Sequence, residues 1–187
     1  MRVDAARPNA PQDPASMLAK IVYRPMTPED VPLVSALHDR VFGPGRFART
    51  AYRVREQMGP GHEVSPFCRL ATAGDERPIA AVRMSGIAIG GKPGAALLGP
   101  LVVAPEHASQ GHGRALIREA LAAARDGGVR LVVLVGDESY YGRFGFQKVP
   151  PGTITLPGPV DPARILAAEL VPGALADYSG LVSGRCP

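Results

Sequence analysis

Apolar positions change period several times along the chain, and each change marks an element. Residues 20–26, KIVYRPM, alternate apolar and polar side chains and predict a first strand. Thr27 then precedes Pro28, Glu29 and Asp30, a helix start with proline at the first position and acids in the first turn. Val31, Val34, Leu37, His38 and Val41 follow at helical spacing on one face. A second, more polar helix is expected over 46–58, RFARTAYRVREQM, ended by Gly59-Pro60-Gly61. The thin apolar stripe of this helix pair suits a mobile cap over a site. Three strand-like runs come next, 66–73, 78–90 and 95–105. They are separated by the turn signals Gly74-Asp75-Glu76 and Gly90-Gly91-Lys92-Pro93, which predict an antiparallel meander. A helix is expected from about Gly111, with Ile117, Ala120, Leu121 and Ala124 as its buried stripe and Gly127-Gly128 as its end.

Residues 130–136, RLVVLVG, form a continuous apolar run, as a strand buried on both faces requires. Strand, crossover helix and second buried strand make a βαβ unit, so the two strands are expected to be parallel neighbours. DESYYGRFGF, 137–146, predicts a short helical turn and another strand start. A Pro/Gly-rich loop follows, and RILAAELVPGAL, 164–175, reads as a last strand able to pair within the sheet or across a homodimer. The element order predicts an α/β (α+β) domain with a mixed sheet.

Composition narrows the class. The chain has 187 residues, enough for one domain with a substantial core. Residues 1–19, rich in Pro, Ala and polar residues, read as a flexible tail without signal-peptide layout. No apolar run reaches membrane-span length. Cys68 and Cys186 give no disulfide framework, which suits a cytoplasmic setting. The formal net charge is +4, with the basic residues scattered. Few aromatics, no Trp and no zinc-knuckle spacing argue against nucleic acid; a small polyanion suits the mild positive field. The four histidines, His38, His62, His107 and His112, are dispersed, and no metal site is expected.

The candidate chemistry begins at SQGHGRAL, 109–116. A phosphate-binding P-loop needs Gly-Lys-Ser/Thr where Gly113-Arg114-Ala115 stands, so it is excluded. A dinucleotide-binding turn wants a third small residue where Leu116 stands, and a tight turn after the strand where a longer loop runs from Ala104. A different diphosphate site remains. The free amides of residues 110–115 and the helix dipole would face the anion, Gly111 and Gly113 would let it approach, and Arg114 would add charge. A plain helix start with glycines is the rival reading.

The segment LGPLVVAPEHASQGHGRALIREAL, followed by VVLVGDESYYGRFGFQKV, resembles the GNAT superfamily of N-acetyltransferases. The likeness is strongest to a bacterial branch with the same GD-x-x-YYGRFGF ending and an L-x-PGAL tail, and spans roughly Lys20 to Leu175. The resemblance implies a GNAT domain over 20–187, with a core of 20–150 and a C-terminal loop and strand over 151–187. It implies splayed fourth and fifth strands and helices on both faces of the sheet. It further implies acetyl-CoA as co-substrate, its diphosphate on Gln110, Gly111, His112, Gly113 and Arg114, and its pantetheine arm along the backbone of Leu101, Val102 and Val103. The family motif is Arg/Gln-x-x-Gly-x-Gly/Ala. Here Ala108 stands at the first position, so weaker affinity is expected, with Gln110, His107 or Arg114 as compensation.

The same resemblance aligns Tyr141 with a tyrosine near the cofactor sulfur. A phenol stays protonated at neutral pH and can donate to the departing thiolate. Tyr140 is the lesser candidate. Asp137 is the first choice for a base that frees the attacking amine, ahead of Glu138 and Glu63; capping the short helix is its structural alternative. The acceptor, a small-molecule amine or a protein amino group, is expected over the first two helices. Arg46, Arg49, Tyr52, Arg53 and Arg55 crowd there, either as a solvated face or to meet an acidic substrate. Two other classes stay open beside the enzyme reading, a catalytically weak acyl-CoA-binding or regulatory protein of the same fold and a nucleotide-binding oxidoreductase using the dinucleotide turn.

Overall fold

The computed structural model describes residues 20–44, 50–58, 64–74 and 77–184. The N-terminal 1–19, Arg46, Arg49, Glu63, Cys186 and the 59–63 loop lie outside the described residues.

The expected meander is present. Strands β1 (Val22–Pro25), β2 (Arg69–Ala73), β3 (Arg77–Ile89) and β4 (Lys92–Val103) pair antiparallel in sequence order. Between β3 and β4, Ile89 faces Lys92 across Gly90 and Gly91, which have φ of 56° and 82°. Two central residues with positive φ make the tight hairpin whose twist matches the strands, and glycine adopts it without a Cβ clash. Helix α1 (Val31–Phe42) follows a 3-10 turn over Pro28–Asp30; α2 is Thr50–Glu56. The Asp30 carboxylate accepts from the Thr27 amide at 2.8 Å and from Arg24 at 2.6 and 2.7 Å, tying the first helix to β1.

Helix α3 (His112–Asp126) and strand β5 (Leu131–Val135) complete the βαβ unit, and β4 and β5 are parallel as expected. Val132 and Leu134 pack under α3 with Leu116, Ile117 and Ala120, whereas Leu131 and Val133 pack on the opposite face with Val54 of α2. This alternation explains the unbroken apolar run. Helices therefore cover both faces. After α4 (Glu138–Tyr141) come β6 (Gln147–Lys148), β7 (Ile154–Thr155), β8 (Ile165–Glu169) and β9 (Gly180–Gly184). The main sheet runs β1-β2-β3-β4-β5-β8-β6.

Two features differ from expectation. The run 165–169 pairs with β5 and β6 inside the sheet, but it is not the last strand. β9 joins β3 beside Ile87–Ile89, beyond the stretch that β2 covers, and Val182 is its fully buried anchor. Its glycine-flanked sequence has too short an apolar pattern to read as a strand. Helix α2 buries little apolar surface, yet it is braced: Val54 is wholly buried, and Gln57 accepts from the Gly184 amide at 3.0 Å.

The sheet opens where the resemblance places its splay. β4 and β5 pair only through Ala95–Leu97 and Leu131–Val133. Beyond Leu98, Gly99 has φ of 129°, Pro100 brings no N–H to the ladder, and the register with β3 shifts between Val82 and Met84. Leu101, Val102 and Val103 then pair with Val82, Ala81 and Ala80 on one side alone. Their other backbone edge faces the gap that β5 leaves.

Candidate active site

A cleft of about 340 Å³ lies between the start of α3, the free edge of β4 and α4. Val103, His107, Ser109, Gly111, His112, Gly113, Arg114, Tyr140 and Arg143 line it. Its floor is the first turn of α3. The first helical bond runs from the Ala115 amide to the Gly111 carbonyl, so the amides ahead of it have no intrahelical partner. Gly111 caps the helix with φ of 92°, a conformation that favours glycine. The Arg114 guanidinium folds back to 3.7 Å from where a Gly111 Cβ would sit. At Gly113 a Cβ would stand 3.3 Å from the Tyr140 hydroxyl, 3.4 Å from Val103 and 3.5 Å from Leu101. The glycine therefore brings helix, strand and tyrosine together around one concave, amide-lined surface with basic side chains at its rim. Such a surface fits a diphosphate.

The loop ahead of the helix is held by a chain of side-chain bonds. His112 is 7% exposed, not a solvated first-turn residue. Its Nε2 lies 3.2 Å from Gln110 Oε1, and Gln110 in turn donates to the Glu106 carbonyl at 3.2 Å. An amide oxygen only accepts, so Nε2 carries the proton and Nδ1 accepts from the Tyr23 hydroxyl at 2.7 Å. Burial, aided by His107, lowers the His112 pKa and so favours the neutral ring. Gln110 and His112 thus hold the loop by their side chains. Ala108 is exposed at the end of a 3-10 turn, and no long side chain extends from it into the cleft.

The two tyrosines of the ending point to different places. Tyr140 lines the cleft beneath Arg143, whose guanidinium lies 5.5 Å from its ring centroid. Tyr141 packs at the end of β5: a Cβ on Gly136 would stand 2.5 Å from its ring. It also meets Phe146 edge-on, with centroids 5.9 Å apart. Burial first, then the neighbouring Tyr140 and Asp137, push the Tyr141 phenol up to about 12. Asp137 occupies the N-cap position of α4, but only its backbone carbonyl caps, accepting from the Tyr140 and Tyr141 amides at 3.0 Å. Its carboxylate is 70% exposed and sits 3.3 Å from Arg164 Nε. Glu138 pairs with Lys148 at 3.4 Å on the surface. Sequence reasoning did not assign Ser109 or Arg143 to the cleft. Ser109 has a positive φ of 62°, a backbone property with no signature in its residue type.

The open β4 edge thus leads to the amide-lined start of α3. Residues 68–148 match the family model for the acetyltransferase (GNAT) domain. The N-acetyltransferase YhbS of Escherichia coli, solved in complex with CoA, superposes with a TM-score of 0.75 at 26% identity over 93% of each chain. A GNAT acetyltransferase of Brucella melitensis, solved with acetyl-CoA, superposes with a TM-score of 0.64 at 25% identity, over 90% of this chain and 97% of that one. No curated protein sequence gives a significant match. Residues 68–148 are thus similar to a GNAT acetyltransferase domain, and the described residues share the fold of the two superposed acetyltransferases. Among the described residues no helix is long and apolar enough to cross a membrane, and no His/Cys/Asp/Glu group could hold a metal ion.

Proposed function

We propose that the protein moves an acetyl group from acetyl-CoA to a primary amine by direct attack. The carrying observation is the continuity of the free Leu101–Val103 edge with the amide-lined first turn of α3. The edge offers backbone donors and acceptors to the amides of the pantetheine arm, as an added strand would. The amides of Gly111, His112, Gly113 and Arg114 bind the diphosphate, and Arg114 adds charge. Gln110 contributes by fixing the loop. Acetyl-CoA supplies a thioester whose carbonyl carbon is attacked by the neutral amine nitrogen; the C–S bond breaks and sulfur leaves with the electron pair.

Tyr141 hydrogen-bonds the departing sulfur. A phenol near 12 stays protonated throughout the physiological range, which makes it a dependable donor. Full proton transfer to a thiolate of ordinary basicity runs uphill from such a phenol, so it stabilises the leaving group chiefly by the hydrogen bond. A backbone N–H of the open edge, at Val102 or Val103, supports the carbonyl oxygen. The proton shed by the amine passes to solvent or to Asp137, whose exposed carboxylate stands beside Arg164. Acceptors of this chemistry are small amines or protein amino groups.

Ala108 supports a second reading, a weakly catalytic acyl-CoA-binding protein, because one side-chain contact of the family motif is missing. Calorimetric titration with acetyl-CoA, followed by thiol release on an amine panel, separates the two. Binding with turnover supports the enzyme; binding without turnover on any amine supports the alternative.

A further inference from the structure

On the sheet face away from α3, the apolar packing is split in two. Val34 and Leu37 of α1 pack with Leu70, Ala81 and Val102. Val54 of α2 packs with Ile87, Leu97 and Val133. Polar side chains fill the interval. Arg83 of β3 belongs to it, as do Arg55 and Tyr52 of α2. Arg55 Nη1 donates to the Gly99 carbonyl at 2.8 Å, and its guanidinium lies 4.9 Å from the Tyr52 ring centroid. Among the described residues its Nη2 is buried with no partner, and so is Nε of Arg83. Among the described residues the groups acting electrostatically on Arg55 are Arg83, Tyr52 and Cys68. Burial, then the neighbouring Arg83, push Arg55 down to about 10, so its guanidinium remains charged at neutral pH.

A buried N–H without a partner costs stability, and two like charges held together cost more. Val54 supplies the apolar anchor of α2, and Arg55 ties the helix to β4 through the Gly99 carbonyl, which leaves its second terminal nitrogen unused. The position is informative. Gly99 is where β4 departs from β5, immediately before the edge assigned above to the pantetheine arm. An anion between Arg55 and Arg83 would therefore lie beside the opening in the sheet, on the face opposite the diphosphate cleft.

We propose that Arg55 and Arg83 form the carboxylate subsite of the acceptor, which is an amino carboxylate such as a free amino acid. The inference rests on the acetyl-transfer reading and names its substrate class. The two unpartnered nitrogens match the two oxygens of one carboxylate. The Gly99 carbonyl, held by Arg55, sets the distance from that carboxylate to the thioester.

The test uses the full-length protein, acetyl-CoA, and the twenty L-amino acids beside their carboxamides, with thiol release as readout. Phosphoethanolamine is included as an amine bearing a different anion. At least one amino acid is expected to exceed its carboxamide in kcat/KM by roughly 10- to 100-fold, the effect of one charged hydrogen-bonded contact. Arg83→Gln should erase that preference through KM, with the calorimetric Kd for acetyl-CoA unchanged and the circular dichroism spectrum retained. Arg55→Lys, which keeps the charge, should weaken the preference without abolishing turnover. Equal use of acids and carboxamides, preference for phosphoethanolamine, or an unchanged preference in Arg83→Gln would each overturn the subsite. Failure of the wild-type protein to bind acetyl-CoA would instead sink the acetyl-transfer reading beneath it.

Discussion

The Tyr140 hydroxyl lies 3.3 Å from the point that a β-carbon on Gly113 would occupy. Helix start and short helix thus meet closely at this glycine, and a side chain there would crowd the surface proposed for the diphosphate. Gly113→Glu should place a carboxylate against the diphosphate and abolish acetyl-CoA binding in calorimetry. Gly113→Ala should weaken binding by a smaller factor, because Tyr140 must shift by a few tenths of an ångström. Unchanged affinity in Gly113→Glu would remove the diphosphate from this turn.

The tyrosines divide their work. Tyr141→Phe should lower kcat by on the order of 10²-fold with little change in acetyl-CoA affinity. Tyr140→Phe should act mainly on affinity, since Tyr140 lines the cleft. Because Tyr141 is raised to about 12, it stays protonated through the usual alkaline limb. The pH profile of kcat in the wild-type enzyme should therefore show no loss near pH 10 that Tyr141→Phe removes. Such a loss would mean that Tyr141 titrates as an ordinary phenol. Asp137→Asn should change kcat by less than about 3-fold if solvent takes the amine proton.

Ala108 leaves the rim of the cleft without the side chain that the motif usually supplies. Ala108→Arg should tighten acetyl-CoA binding several-fold, about the worth of one exposed charge-assisted contact. The gain should fade as salt is raised from 50 to 500 mM, and calorimetry at two ionic strengths reads both effects.

Acid stability is tied to Asp30. Its carboxylate accepts from Arg24 and from the Thr27 amide, and these partners, Arg24 first, hold it down at about 2. A depressed carboxyl stabilises the fold above its unfolded value, and that contribution is lost as pH falls from about 4 to about 2. With Arg24 part-exposed, screening reduces the effect to on the order of 1–2 kcal/mol. Asp30→Asn should lower Tm at pH 7, and the gap to wild type should close near pH 2. A constant gap across that window would assign the loss to capping geometry alone.

Much of this arrangement was legible from residue order. Alternation predicted β1, strand-like runs between turn signals predicted β2 through β4, and the continuous apolar run at Leu131–Val135 after a crossover helix predicted the parallel pairing. Gly111 marked the left-handed cap of α3 because backbone freedom has a residue-type signature, and Gly113 marked a close approach of Tyr140, Val103 and Leu101. Other features carry no such mark. β9 is too short and too glycine-rich to show a period. The burial of His112 depends on Tyr23, 89 positions away, and no local pattern announces that pairing. Arg55 was one of several arginines on the second helix, open between a solvated face and contact with an acidic substrate, and no local pattern announces its pairing with Arg83 of β3.

The most direct measurement is a crystal structure of the protein with CoA. The account predicts diphosphate oxygens within hydrogen-bonding distance of the amides of residues 111–114, the pantetheine arm along Leu101–Val103, and the sulfur beside Tyr141. A diphosphate bound elsewhere, or a β4 edge left bare by the arm, would contradict it.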